Sequence, residues 1–508
     1  MPPSSLEEAT IFVTGFRFDG NSVFSDEQLL EVAQPYINRE ISFDELIDLR
    51  LKITDLYVDS GFTTSAAVIT EQGNEAVSQK DAVVTIRIIE GAIEEVSFEG
   101  DDRLRSYVLS RLNASLTPVF NQIELEETLR LLQIDPLVES ISANLSSGSQ
   151  VGSSLLTISA VAAPIFKASI ETNNHRAPSI GSFQAVVQAE VANLLSQGEK
   201  LDIGYSLTDG SGSYYTLLEV PTNENNGSLS FEYRQLDTRI IEEPFDDFNI
   251  QTEGQRYGIS YRQPLFRKAS NNRIEAFSIS TTASYFQSAS TLSGIPFPIS
   301  MGANSQGRTQ IFEVSLSQEY IQQTRRNIIA LNSQLALGLD VMDEASEREP
   351  DGEYLLWRGQ GLWIQNLGSD RQLKLDADVQ FASDSLLPIR QLTLAGPTSV
   401  RGYWQDSVTS DNGMVLSTEL KLPLATNQRS DQQLSAIPFV DLGVGWNNGD
   451  RRRVDNGFLA SVGLGIQYEW NDLTARANYA IPLLHTDSEG RSLQESGLNF
   501  SVGYQLSF

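Results

Sequence analysis

The sequence predicts two small α+β domains, each of β-α-α-β-β order, followed by a transmembrane antiparallel β-barrel of about sixteen strands. Three observations carry this. A strand-helix-helix-strand-strand pattern occurs twice before residue 163. After Phe166 helical periodicity stops, and alternating segments follow one another to the C-terminus. No window approaches the roughly 18 consecutive apolar residues of a membrane helix, but a barrel strand faces lipid on one side only and needs no such run.

Composition narrows the function classes. The chain of 508 residues carries 36 Lys and Arg against 66 Asp and Glu, a net charge of −30. Nucleic acid is therefore not an expected partner, because phosphate binding is driven by clustered cations. With no Cys, disulfides, thiolate metal sites and cysteine nucleophiles are all absent, and His175 and His485 are the only histidines. No nucleophile and base stand in a recognisable set, so no catalytic residue, metal or cofactor is expected. The acidic groups Asp246-Asp247 and Asp343, Glu344, Glu347 and Glu349 read as solvated loop charges, with a Ca²⁺ loop as the alternative. The run Arg451-Arg452-Arg453 reads as a hydrated hairpin tip, with lipid-headgroup contact as the lesser alternative.

Residues 1–9 read as the remnant of a linker. The first domain, 10–92, opens on the alternating strand Phe16-Arg17-Phe18-Asp19 and turns at Gly20-Asn21. Ser25 then caps a helix and Gln28 closes the capping box. A second helix runs from Ser42 to Tyr57, with Leu46, Leu49, Ile53, Leu56 and Tyr57 at helical spacing. Strands follow at 64–70 and 82–90.

The second domain, 93–163, repeats the order. It has a strand at Glu95–Gly100, a helix through Tyr107, Leu109 and Leu112, a helix from Leu125 to Ile134, and strands near 141–145 and 155–160. Tandem β-α-α-β-β modules resemble POTRA domains, the polypeptide-transport-associated modules of outer-membrane assembly and secretion barrels. The run Leu131-Leu132-Gln133-Ile134-Asp135-Pro136-Leu137-Val138, followed by Gly148 and Gly152, is similar to the second POTRA domain of two-partner secretion transporters, the haemolysin activation and secretion family.

Residues 164–508 form the predicted barrel. In Leu498–Phe508 every even position is apolar and every odd one polar or Gly. Similar alternation marks Phe458 to Tyr468, Leu473 to Ile481 and Met414 to Leu424. Such segments of about 9–11 residues are long enough to cross a bilayer at a tilt. Closure into an even-stranded barrel leaves no backbone edge unpaired in lipid. The terminal Tyr504, Leu506 and Phe508 resemble the signal by which such barrels are assembled.

Within the barrel, a loop around 385–412 carries Val400-Arg401-Gly402-Tyr403, which matches the lid-loop motif of the same superfamily between expected strands eleven and twelve. Ala395-Gly396 stands where the superfamily usually has two glycines. The resemblance implies that this loop folds into the lumen and that Arg401 pairs with an Asp on a barrel strand, here in Phe439-Val440-Asp441-Leu442-Gly443. Physical argument reaches the same residue: a lumenal Arg needs a carboxylate, and a bidentate fork fixes both position and orientation. Alternation puts Phe439, Asp441 and Gly443 on one face, which must be the lumen because a charge facing lipid is costly. Phe439 is expected to pack on Tyr403. Gating and simple bracing of the barrel remain equal readings of the Arg401–Asp441 pair. Gly443-Gly445 and Gly463-Gly465 read as devices for strand curvature.

The resemblance implies a monomeric outer-membrane transporter with its POTRA domains in the periplasm, in contact with outer-membrane lipid. It would capture a large, unfolded, β-rich exoprotein and secrete it through the barrel. The nearest alternative is an insertase that assembles other outer-membrane barrels; a diffusive porin lacks the repeated front domains.

Overall fold

The structure, a computed structural model, describes residues 10–69, 82–113, 115–339, 350–427, 430–449, 454, 457–484 and 492–507. Residues 1–9, the acidic group 343–349, Arg451–Arg453, His485 and Phe508 lie outside the described residues. Two compact units divide the chain, one ending at Ala163 and one beginning at Pro164.

The first domain comprises β1 (Thr10–Asp19), α1 (Asp26–Ala33), β2 (Arg39–Ser42), α2 (Phe43–Asp59), β3 (Ala66–Ile69) and β4 (Ala82–Ile89). Its sheet has the order β2-β1-β4-β3, with β1 and β4 parallel. β2 was not expected from sequence: four residues are too few to show alternation. Both helices begin at serines whose side chains form complete capping boxes, Ser25 with Gln28 and Ser42 with Glu45. The apolar stripe of α2, Leu46, Leu49, Ile53 and Tyr57, is fully buried against Val13, Val84 and Ile86 of the sheet.

Glu90 closes this domain. Its carboxylate accepts the main-chain N–H groups of Ser22 and Val23 at 2.7 and 2.9 Å and the Tyr57 hydroxyl at 2.9 Å. Burial pushes its pKa up, but the hydrogen bonds from Ser22, Val23 and Tyr57 outweigh that and hold it below the usual carboxylate range. A carboxylate whose folded pKa is depressed contributes stability above its unfolded pKa and loses it as pH falls through the folded one. The urea midpoint of the periplasmic unit is therefore expected to fall below about pH 4.3, the usual glutamate value, and Glu90→Gln to flatten that dependence.

The second domain has β5 (Ala92–Gly100), α3 (Asp102–Asn113), α4 (Gln122–Gln133), β6 (Val138–Ser147) and β7 (Ser153–Ala162), with the sheet order β5-β7-β6. Asp135 of the Asp-Pro turn accepts the Tyr107 hydroxyl at 2.8 Å and the N–H of Leu137 at 3.1 Å, tying helix, turn and edge strand together.

The barrel strands are β8 (Phe166–Asn173), β9 (Gln184–Ala192), β10 (Lys200–Leu207), β11 (Ser211–Pro221), β12 (Ser228–Arg239), β13 (Ile250–Ala269), β14 (Arg273–Leu292), β16 (Arg308–Thr324), β17 (Asn327–Leu339), β18 (Tyr354–Gly368), β19 (Arg371–Ala382), β22 (Asn412–Asn427), β23 (Gln432–Trp446), β24 (Phe458–Trp470), β25 (Leu473–Pro482) and β26 (Leu498–Ser507). The two-residue strands β15 (Ile295–Pro296), β20 (Leu392–Thr393) and β21 (Thr409–Ser410) lie in loops. The ladder closes where β26 pairs with β8, Tyr504 opposite Ile170 and Leu506 opposite Ala168, giving the expected sixteen-stranded antiparallel barrel.

The expected apolar faces point outward: Phe458, Leu464, Ile466, Tyr479, Ile481, Val502 and Tyr504 are all exposed on the barrel surface, where lipid would cover them. The strands run longer than their apolar alternation, with β13 and β14 each 20 residues. Outside the bilayer a ladder continues without any demand that its outer face be apolar. Turns such as 325–326, 369–370 and 471–472 sit at the end where the chain enters, and long connections such as 293–307 and 383–411 at the other. That asymmetry, short turns on the periplasmic side and long loops outside, orients the barrel.

Candidate functional site: the lumenal lid

The connection 383–411 folds inward and is fixed at several points. At its base the buried Asp411 accepts the N–H groups of Leu386 at 3.1 Å and Asn448 at 3.0 Å, and the Gln391 amide at 2.9 Å. Its first limb packs Leu386 and Leu387 on Ile311, Tyr354 and Leu356 of β16 and β18. There Arg390 lies 2.9 Å from the Glu313 carboxylate, which also accepts the Tyr354 hydroxyl at 2.6 Å. Its second limb buries Leu392, Leu394, Val400 and Tyr403 against Val415 and Leu459.

At the tip Arg401 grips Asp441 as a fork: Nε donates to Oδ2 and Nη2 to Oδ1, each at 2.7 Å. The Arg401 main-chain N–H adds a bond to Oδ2 at 3.2 Å. The guanidinium also donates to Glu419 at 2.6 Å and to Ser417 Oγ at 3.0 Å. Ser417 in turn donates to Asp441 Oδ1 at 2.7 Å, and Arg476 donates to the same Glu419 oxygen at 2.7 Å. Two guanidinium groups and two carboxylates thus compensate each other. This matters because the Arg401 side chain is 5% exposed and that of Asp441 is 0%, and an unpaired charge so buried costs several kcal/mol.

Strand register builds the receptor. Ser417 stands opposite Asp441 and Glu419 opposite Phe439 across β22 and β23, while Phe439 stands opposite Gly463 across β23 and β24. Residues 437, 439, 441 and 443 face inward, and their neighbours Val440 and Leu442 face out. The Arg401 guanidinium carbon lies 3.5 Å from the centre of the Phe439 ring, a cation–π contact of about 2 kcal/mol when desolvated. Phe439 is therefore inside, as alternation requires, but its ring carries Arg401 rather than Tyr403. The Tyr403 hydroxyl instead points to the carbonyls of Ala460 and Leu484 at 3.1 and 3.0 Å. Gly402, at φ +91°, supplies the left-handed backbone that separates these two neighbours of opposite direction.

The glycines expected to ease curvature serve clearance. A Cβ on Gly443 would lie 2.8 Å from Val400 Cγ2, and one on Gly463 would meet the Phe439 ring. Gly443→Ala is expected to weaken seating of the loop by about 1–3 kcal/mol, the usual cost of overpacking, seen as faster cleavage of the loop by protease added outside. Gly361→Ala, whose nearest neighbour is Leu331 Cδ2 at 3.4 Å, is the matched control and is expected to change nothing.

Glu419, Ser417, Arg476, Asp411, Arg390 and Glu313 were not singled out from sequence. A signal existed for two of them: Ser417 and Glu419 occupy the polar phase of an otherwise apolar alternation. Beside the cluster is a polar cavity of about 530 Å³, lined in part by Arg358, Lys374, Asp376, Asp378 and His175.

Comparison with known proteins gives a consistent set of matches. The family model described as haemolysin secretion/activation protein ShlB/FhaC/HecB matches residues 152–468, and a ShlB-type POTRA domain matches residues 11–91. The heme/hemopexin transporter protein HuxB of Haemophilus influenzae is 21% identical over 489 residues, covering 91% of this chain and 80% of its own. The outer membrane transporter CdiB of Escherichia coli is 22% identical over 505 residues, covering 89% of this chain and 76% of its own. The solved structure of CdiB from Escherichia coli superposes with a TM-score of 0.73 at 17% identity, over 100% of this chain and 93% of that one.

Proposed function

The chain belongs to the haemolysin secretion/activation family, and from that membership we propose how its parts divide the work of export. It is an outer-membrane transporter of two-partner secretion, with POTRA modules on the periplasmic side. The cargo is a large, β-rich exoprotein that arrives unfolded. Capture uses β-augmentation: an extended segment pairs with a free sheet edge, such as β2 or β3 of the first domain or β6 of the second, so main-chain hydrogen bonds supply affinity with little demand on sequence. No nucleotide-binding motif is needed, because folding outside pulls the chain forward.

The observation that carries the mechanism is the Arg401–Asp441 fork. The loop occupies lumen that an exoprotein needs. Although its limbs pack on apolar side chains, its tip is held by a polar, compensated contact, so exchanging the tip's partners for other polar groups costs less than extracting an apolar tip. The pair therefore acts as a latch, and the transporter works as a monomer. The insertase reading shares the lid but not the family.

Capture is tested with the full chain in detergent, immobilised and offered urea-unfolded exported proteins of its source organism. Retention of one or a few large secreted β-rich proteins is the expected result. Retention of many outer-membrane barrel precursors would make it an assembly factor.

A further inference from the structure

The barrel carries a charge pattern that export does not call on. On three consecutive periplasmic turns, β13–β14, β16–β17 and β18–β19, the exposed side chains include Lys268, Arg273, Arg325, Arg326 and Arg371. The described carboxylates facing outward among them are Glu275, which is paired with Arg273, and Asp370. Such an excess of cations is notable in a chain of net charge −30. The opposite rim is the reverse, with Glu242, Glu243, Asp246, Asp247, Asp351 and Glu353 in its loops.

Directly above the basic residues on the same outward face lies an apolar and aromatic row. Phe266 and Phe277 stack across β13 and β14 with ring centres 6.0 Å apart. Tyr320 stands opposite Phe277, and its hydroxyl points down to Glu275 at 2.8 Å. Trp363 and the exposed Leu367 continue the row on β18. An aromatic row next to a line of cations, with the Tyr320 hydroxyl turned toward the Arg273–Glu275 pair, marks the depth at which acyl chains give way to headgroups.

We propose that this arc binds the phosphate headgroups of anionic phospholipids in the periplasmic leaflet, with phosphatidylglycerol as the model ligand. The inference rests on the outer-membrane reading of the barrel. The apolar row holds the acyl chains while the guanidinium and ammonium groups take the phosphate oxygens. Neighbouring turns place the cations side by side, so one bilayer edge meets all of them together. The arc covers β13 to β19.

The test uses the full chain equilibrated with mixed micelles of phosphatidylglycerol and phosphatidylcholine, with co-purifying lipid quantified by mass spectrometry. The wild type is expected to enrich phosphatidylglycerol. The combined variant Lys268→Gln, Arg325→Gln, Arg326→Gln, Arg371→Gln is expected to lose roughly tenfold or more of that enrichment, and high salt to do the same, since exposed charges are screened. Arg325→Lys with Arg326→Lys is expected to retain it, because charge rather than fork geometry is at work. Heat-dependent gel mobility verifies that each barrel is folded. Equal enrichment in the wild type and the Gln variant, or none in either, overturns the proposal. Loss of lipid on adding millimolar inorganic phosphate also overturns it, by marking a site for free phosphate. Since none of these lipid readouts involves cargo, failure here leaves the secretion reading standing.

Discussion

Asp441→Asn is expected to free the lid loop from the barrel wall without unfolding the barrel. The substitution leaves the Arg401 guanidinium nearly buried, with Glu419 as its remaining carboxylate and that one already shared with Arg476. Breaking one partner of such a pair costs about 3–5 kcal/mol, which shifts the seated loop toward release by roughly two to four orders of magnitude. In planar bilayers the variant should pass from rare to frequent large openings, and secretion should fall. Arg401→Lys should behave similarly, since an ammonium group cannot reproduce the two parallel bonds to Asp441 or the planar contact with Phe439. The double variant Arg401→Met, Asp441→Leu separates latch from brace. Replacing both charges by apolar groups keeps the loop packed, so a closed, secretion-deficient channel marks a latch that must let go, and restored secretion marks a brace.

Ile53→Ala is expected to have the largest effect on stability. Ile53 is completely buried among Leu29, Leu49, Val84 and Ile86, and truncating such a side chain costs about 2–5 kcal/mol through lost transfer energy and the cavity left behind. A domain of this size has little reserve. The urea transition of the periplasmic unit should move to much lower denaturant, while the barrel keeps its heat-dependent gel mobility. Secretion should be lost although the channel still conducts.

Much of this architecture is legible in sequence because strong local physics writes it there. Lipid forces the alternation of Phe458 to Tyr468 and of Leu498 to Ser507, and helix starts at Ser25 and Ser42 declare themselves through capping. The tip of the lid is legible through Val400 to Tyr403 and the need of a lumenal Arg for a carboxylate. What escapes depends on register between strands far apart in sequence. Arg476 meets Glu419 from β25, 57 residues on, and Glu313 meets Arg390 from β16, and no local pattern encodes either encounter. The four-residue β2 escaped for lack of length, and the outer parts of β13 and β14 because beyond the bilayer nothing obliges their exposed face to be apolar. Alternation gives the inward face of Phe439 but not that its ring meets Arg401, since it sets direction and not contact.

The most direct test of the central claim compares the extracellular and outer-membrane proteomes of the source organism with the gene intact, deleted, and restored as wild type or as Asp441→Asn. A transporter of two-partner secretion predicts that deletion removes one or a few large β-rich proteins from the medium, that the wild-type gene returns them, and that Asp441→Asn does not, while the outer-membrane barrels stay constant. A broad loss of outer-membrane barrels with an unchanged extracellular set would contradict the account and assign the protein to barrel assembly.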